Sequence, residues 1–286
     1  MIIRTSQVLI YIIFCTLLRV GPWRYFQLNA GYFNRNKGIF SKLDIDQLIP
    51  QQWRLEQWVD HSGIRPSHYP VFLKPEWGQN SKGIQRADNS AEFEQLRLLK
   101  PSSKVQYLVQ QGAKQSIEFE IFLIPSPLSS NSSNSSKNSE VGVISITQVS
   151  NSSAEAYPIN GIYNSATEYE DIDSLLSREQ KQHLYCQLRT VGNFNIARYG
   201  IRADSINELL QGNFSIIEIN LFFPMPLMLL SNNVSLSQKW SFIIRNMWLL
   251  ARVTKAMNKE QPYKDIFFKK MEFFSRVKDF KQKEMN

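Results

Sequence analysis

The chain has 286 residues, 43% hydrophobic and 20% charged, a balance that excludes a disordered or fibrous polypeptide and leaves enough core for one or two domains. Lysine and arginine number 33 against 25 acidic residues, and the resulting formal charge of +8 suits polyanionic partners such as nucleotides, nucleic acid or anionic lipid. Cys15 and Cys186 are too few for a disulfide framework and lack the spacing of a zinc or redox motif. Asn-x-Ser/Thr triplets begin at Asn131, Asn134, Asn151, Asn213 and Asn233, three of them in Ser/Asn-rich sequence, and are read as products of composition.

Between Arg4 and Arg19 lie 14 uncharged residues, a helix too short for the roughly 20 residues that cross a bilayer. No small-residue cleavage site follows. The segment therefore reads as a helix buried on the main domain or as an interfacial anchor aided by Trp23, Arg24, Tyr25 and Phe26, with a signal peptide or true anchor as the alternative. Residues 69–74 form a β-type run ended by Pro75, followed by a loop with Gly78 and Gly83 and a helix over 91–99 capped by Ser90. Strands are predicted at 105–110 and 117–124, joined through Gly112. The Ser/Asn-rich stretch 126–139 is a surface loop, and a strand resumes over 141–149.

Apolar residues at helical spacing mark a helix over 174–191, ended by Gly192. Strands over 197–205 and 214–220 follow, separated by a turn at Gly212 and Asn213. Two apolar stripes, from Trp240 to Val253 and from Phe267 to Val277, are core helices. Strands of mixed spacing with helices between them predict an α+β fold, and no nucleic-acid-binding module is present. His61, His68 and His183 make no Ser-His-Asp or Cys-His arrangement.

Four islands carry chemistry: residues 74–83 (KPEWGQNSKG), 108–120 (LVQQGAKQSIEFE), 202–204 (RAD) and 218–220 (EIN). A lysine at a strand end followed by a two-glycine loop suits phosphates, although GxxxxGK[ST] is absent. Glu218 and Asn220 share a strand face through the period of two, and with Asp204 they offer oxygen ligands of the kind a nucleotide-bound Mg²⁺ takes.

In order and spacing these islands, over residues 37–225, resemble the ATP-grasp superfamily and within it the D-alanine:D-alanine ligase-like branch. The resemblance implies two α+β subdomains gripping ATP: a segment 1–36, a central subdomain 37–109 and a C-terminal subdomain 110–286. It implies that Lys74 binds the α and β phosphates and that Gln79, Asn80 and Ser81, with Lys82 adding charge, cover the β and γ phosphates. Lys37 is the expected second lysine, with Lys42 competing. Gln110 and Gln111 would contact adenine, and Glu118 the ribose, Glu120 being the other choice. Asp204, Glu218 and Asn220 would hold Mg²⁺, and Arg202 would neutralise charge on the γ-phosphoryl or tetrahedral intermediate.

The implied reaction joins a small carboxylate to an amine through an acyl phosphate, with no nucleic-acid partner, in the cytoplasm or at the membrane face. Several features depart from the ligases. Only 36 residues precede the ATP-binding part, so the usual first domain is expected to be missing; LFFPMPLML (221–229) stands where they carry Pro-Gly and serine; and the loop over 157–169 lacks a lysine. The alternatives are a non-catalytic nucleotide-binding scaffold and a basic membrane-surface interaction protein.

Overall fold

The structure is a computed structural model and describes residues 2–76, 81, 83–98, 106–127, 142–153, 155–257 and 264–272. Helix α1 (Ile2–Leu17) leads through aromatic 3-10 turns to the short α2 (Lys42–Asp46). The Ser41 side chain caps α2 by accepting from Asp44 N. A four-stranded antiparallel sheet follows, in the order β1 (Gln57–Val59), β4 (Tyr107–Gln111), β2 (Val71–Pro75) and β3 (Gln85–Ala87). Helix α3 (Ser90–Leu98) packs on it, burying Phe93 against Val71, Leu73 and Val109. Its cap is Asn89, whose side chain accepts from Glu92 N at 3.0 Å, one residue earlier than the sequence indicates.

The second sheet is antiparallel with five strands, ordered β7 (Thr167–Asp171), β6 (Val143–Asn151), β5 (Ile117–Ile124), β8 (Ala197–Ala203) and β9 (Phe214–Asn220). Successive side chains of a strand point to opposite faces, and β5 divides accordingly. Phe119, Ile121 and Leu123 enter the main core with α4 (Arg178–Arg189) and α5 (Ile206–Gln211). On the other face Glu118 and Glu120 are followed by Phe122 and Ile124, which join a second core under α1 and α6 (Leu236–Ala256). One sheet face thus changes from charged to apolar along its strands.

The helix predicted over 174–191 is shorter, because Ser177 and Gln180 form a capping box at α4 and Thr190 ends it before Gly192. Short elements without a readable period, namely β1, β3, β7, α2 and α5, are additional to those the sequence indicates. Helix α1 lies on α6 through a 2.8 Å Tyr11–Thr254 hydrogen bond and an edge-on Phe14–Trp248 contact, while Leu9, Ile13 and Leu17 are exposed. Among the described residues no helix is long and apolar enough to cross a membrane.

The chain passes from one sheet to the other through Gly112, whose N–H donates to the Pro70 carbonyl at 2.9 Å. A Cβ on Gly112 would stand 2.9 Å from that backbone oxygen, closer than packed atoms tolerate. Gly112→Ala is therefore expected to lower stability by about 1–3 kcal/mol through overpacking at the inter-sheet crossing, read as an earlier midpoint in urea.

Candidate functional site

The site begins with the register of the second sheet. Glu118 lies opposite Arg202, Glu120 opposite Gly200, and Phe122 opposite Arg198. Across β8 and β9, Gly200 faces Glu218 and Arg198 faces Asn220, with a bulge after Gly200. These pairings set three rows on one face: Glu118 with Arg202, then Glu120 with Glu218, then Arg198 with Asn220. Arg198 Nε stands 3.0 Å from Glu120, and its Nη2 lies 3.7 Å from Glu218. Arg202 Nη2 reaches Glu118 at 3.3 Å, and Asn160 Nδ2 donates to the same carboxylate oxygen at 2.9 Å. Gly200 makes room for this crowding, since a Cβ there would lie 3.2 Å from Glu218 Cγ and 3.1 Å from Ile217.

The first sheet supplies the opposite wall. Lys74 at the end of β2 is buried, and its Nζ donates to the Ile217 carbonyl at 3.4 Å; Gln110 Nε2 on β4 donates to the same oxygen at 3.2 Å. Both sheets therefore meet at one peptide of β9. Between them lies a cleft with about 980 Å³ of empty space, part of it open to solvent, lined by Lys74, Gln110, Glu118, Arg198, Arg202 and Glu218 among others. Residues 157–162 cover it: Ser81 Oγ donates to the Asn160 carbonyl at 2.5 Å, and Arg86 Nη1 to the Tyr157 carbonyl at 2.8 Å.

Burial and neighbouring charge set the protonation states. Burial alone would raise the Glu218 carboxyl, but Lys42, Arg198, Lys74 and the Asn220 amide together hold it below its ordinary value, so it is ionised. Glu120 goes the other way, up to about 8, because burial and the Glu218 and Glu118 charges outweigh Arg198. Lys74 falls to about 7 through burial, with Lys42 adding repulsion. Lys42 is lowered by burial, offset by Glu218.

Lys270, on the helix over 266–272, is lowered to about 7 by burial and by Lys42, and its Nζ sits 5.3 Å from the centre of the Phe222 ring. A polyphosphate favours protonated lysines, so at pH 8 a nucleotide that reached Lys74 would draw a proton onto it. Were ATP its ligand, calorimetric titrations at pH 8 in buffers of different ionisation enthalpy would show net proton uptake, shrinking toward zero near pH 6.

Of the residues singled out from the sequence, Lys74, Ser81, Gln110, Gln111, Glu118, Arg202 and Glu218 line this cleft. Gln79, Asn80 and Lys82 lie outside the described residues. Lys37 is held away by Glu76, at 2.6 Å, and Ser41 donates to the same carboxylate oxygen. Its competitor Lys42 instead shares a small adjoining cavity with Lys74, Gln110 and Glu218.

Asp204 is not brought to Glu218. It lies just past the end of β8, where its carboxylate accepts from Ser116 N at 3.0 Å, four positions beyond Gly200 and so about 13 Å along the strand. Asn220 and Glu218 stay together, the Asn220 amide donating to Glu218 at 2.7 Å.

Among the described residues no three His, Cys, Asp or Glu side chains gather as a metal set. The ionised Glu218 beside the Asn220 amide nevertheless fits Mg²⁺, which binds through one or two carboxylates plus substrate phosphates. Arg198 and Asn160 also line the cleft and are not among the residues the sequence singles out. For Arg198 the missed signal is the alternation that places it two residues from Gly200 on the Glu218 face.

No protein-family model matches the chain, and no curated protein matches it in sequence. Among solved structures it is similar to D-alanine–D-alanine ligase from Bacillus anthracis, at 14% identity and a TM-score of 0.48 over 76% of this chain and 66% of that one. It is also similar to VanG D-Ala:D-Ser ligase from Enterococcus faecalis, at 13% identity and a TM-score of 0.45 over 76% and 69%. An L-amino acid ligase from Bacillus licheniformis matches at 15% identity and a TM-score of 0.46 over 79% of this chain and 50% of that one. The chain thus spans just under two thirds of the first of these and half of the last. The resemblance to the D-alanine:D-alanine ligase-like branch of the ATP-grasp superfamily rests on the four sequence islands.

Proposed function

We propose that this chain is an ATP- and Mg²⁺-dependent carboxylate–amine ligase in which residues 37–109 and 110–286 are the two jaws and ATP is the molecule gripped. The observation that carries the reading is the convergence on one cleft of cations from both sheets, Lys74 and Arg198 among them, around the ionised Glu218. Lys74 and Lys42 would meet the nucleotide phosphates, and Gln110 and Gln111, next to the inter-sheet crossing, would lie toward its base. Glu118, held by Arg202 and Asn160, would take the ribose hydroxyls. Glu218 and Asn220 would hold Mg²⁺ against the phosphates, where the ion supplies charge neutralisation when bound.

The reaction needs no nucleophilic side chain. A carboxylate oxygen of the first substrate attacks the γ-phosphorus, the bond from that phosphorus to the bridging oxygen breaks, and ADP leaves with an acyl phosphate remaining. The amine of the second substrate then attacks the acyl carbon, gives up a proton and expels phosphate. Arg198 and Arg202 would neutralise the oxygens on which charge accumulates, and the closed 157–162 segment would exclude water that otherwise hydrolyses the acyl phosphate. Hydroxylamine in place of the amine tests this reading. Carboxylate-dependent release of ADP with an equal amount of hydroxamate is expected; a folded protein that releases no ADP across a panel of acids would refute it.

A further inference from the structure

A second cavity, with about 1580 Å³ of empty space open in part to solvent, adjoins the cleft under α1, α6 and the segment after β9. Its walls are apolar and aromatic, with Tyr11, Phe26, Phe122, Met225 and Leu250 among them, whereas Arg198 and Asn220 stand in its lining at the side of the Glu218 row. Arg198 also lines the cleft; its Nε and Nη2 face Glu120 and Glu218 there, while its Nη1 donates to the Met225 carbonyl at 3.4 Å on the cavity side, so its guanidinium stands at the seam of the two spaces.

The cause lies in the strand alternation. The face that carries Glu118 and Glu120 continues into Phe122, which faces Arg198 across β5 and β8. Beyond it the chain departs from β9 through Phe222 and Phe223, the latter in the left-handed backbone region at φ 57°, a conformation that a bulky residue holds only at a cost. Phe223 lines the cavity and packs on Tyr25 with ring centres 4.9 Å apart. Val8, Ile12 and Trp23 stand at the solvent side and are exposed, leaving a route in.

An apolar chamber with a cation at its inner side fits one kind of small molecule, an acid with a long apolar tail. We infer that the carboxylate substrate of this chain is such an acid, an aliphatic carboxylate whose tail fills the cavity under α1 and α6 and whose head lies at Arg198, facing the cleft. This identification rests on the ligase reading for its chemistry but not for the binding itself. The activating step is the one given above: the tailed acid's oxygen bonds to the γ-phosphorus while ADP departs with the bridging oxygen.

The test is calorimetric titration of the full chain, without nucleotide, with butanoate, hexanoate, octanoate and decanoate, and with octan-1-ol as the headless control. Affinity is expected to rise about three- to fourfold per added methylene until the cavity is full, with octan-1-ol binding at least tenfold more weakly than octanoate. Val8→Trp, from an exposed position on α1, should plug the cavity, lowering decanoate affinity tenfold or more and leaving butanoate and Mg-ATP binding as they are. Ile12→Trp, from the same exposed face, is the second variant should the first fold poorly.

Affinity independent of tail length, an equal affinity for octan-1-ol, or decanoate binding unmoved by both plugs would each overturn the inference. Hydroxylamine trapping separates the two claims. Tail-dependent binding with no ATP-dependent hydroxamate would sink the ligase reading while the cavity assignment stands; hydroxamate formed from acetate and D-alanine but not from octanoate would keep the ligase and sink the tailed acid.

Discussion

Lys74→Ala is expected to weaken Mg-ATP binding about 10- to 100-fold, because a charge-assisted hydrogen bond to phosphate is worth about 1.5–3 kcal/mol. Lys74 is buried between the sheets, and its Nζ is tied to the protein by a 3.4 Å contact to the Ile217 carbonyl, so a ligand oxygen can compete for it. Its removal also takes away one of the charges that keep Glu218 ionised. Lys74→Arg should not restore binding, since a planar guanidinium does not occupy the volume of an ammonium in a buried slot. Titration of both variants with ATP, set beside their urea midpoints, checks this, and an unchanged affinity in Lys74→Ala would remove the lysine from the phosphate site.

Arg198→Met is expected to be the most damaging single change, in stability and in turnover together. The guanidinium touches Glu120 at 3.0 Å and lies 3.7 Å from Glu218, and deleting one partner of a buried pair costs about 3–5 kcal/mol because the other charge is left uncompensated. The loss should depend on pH, with a sign that follows from Glu120. Its folded pKa, about 8, lies above the ordinary 4.5, so its protonated form is favoured by the fold. The contribution of that proton is therefore complete below about 4.5 and disappears as pH rises through about 8.

Without Arg198 the carboxyl titrates higher still, and the variant's deficit should be smaller near pH 6 than near pH 8.5. Urea unfolding at the two pH values measures it; a deficit that is equal at both would mean that Glu120 is not the group left exposed to the penalty.

Legibility in the sequence followed length and period. Strands β5 and β9 coincide with the runs 117–124 and 214–220 because β-branched and aromatic residues run through them, and α6 is marked by its apolar stripe. Three-residue β1 and β3 are too short to show any alternation, and they exist because β4 and β2 offer them backbone partners.

The site divides along the same line. Glu218 and Asn220 were visible as a pair because their spacing is local, whereas the partner of Glu218 depends on register between strands. Arg202 and Asp204 draw attention as R-x-D, yet β8 pairs so that Gly200 meets Glu218 and Arg198 meets Asn220. That offset carries Asp204 past the strand end, to the backbone of Ser116. Lys270 comes from a segment more than forty residues beyond β9, and nothing in its neighbourhood of phenylalanines and lysines signals the approach to Lys42.

If the two sheets close on ATP, calorimetric titration of the wild-type chain with ATP, with and without Mg²⁺, reads it without any carboxylate or amine substrate. The expected result is one site per chain that strengthens at least tenfold when Mg²⁺ is added and loses that gain in Glu218→Gln, whose amide keeps the shape and removes the charge. A folded wild-type chain that binds no ATP, or binds it equally well without Mg²⁺ and in Glu218→Gln, would contradict it.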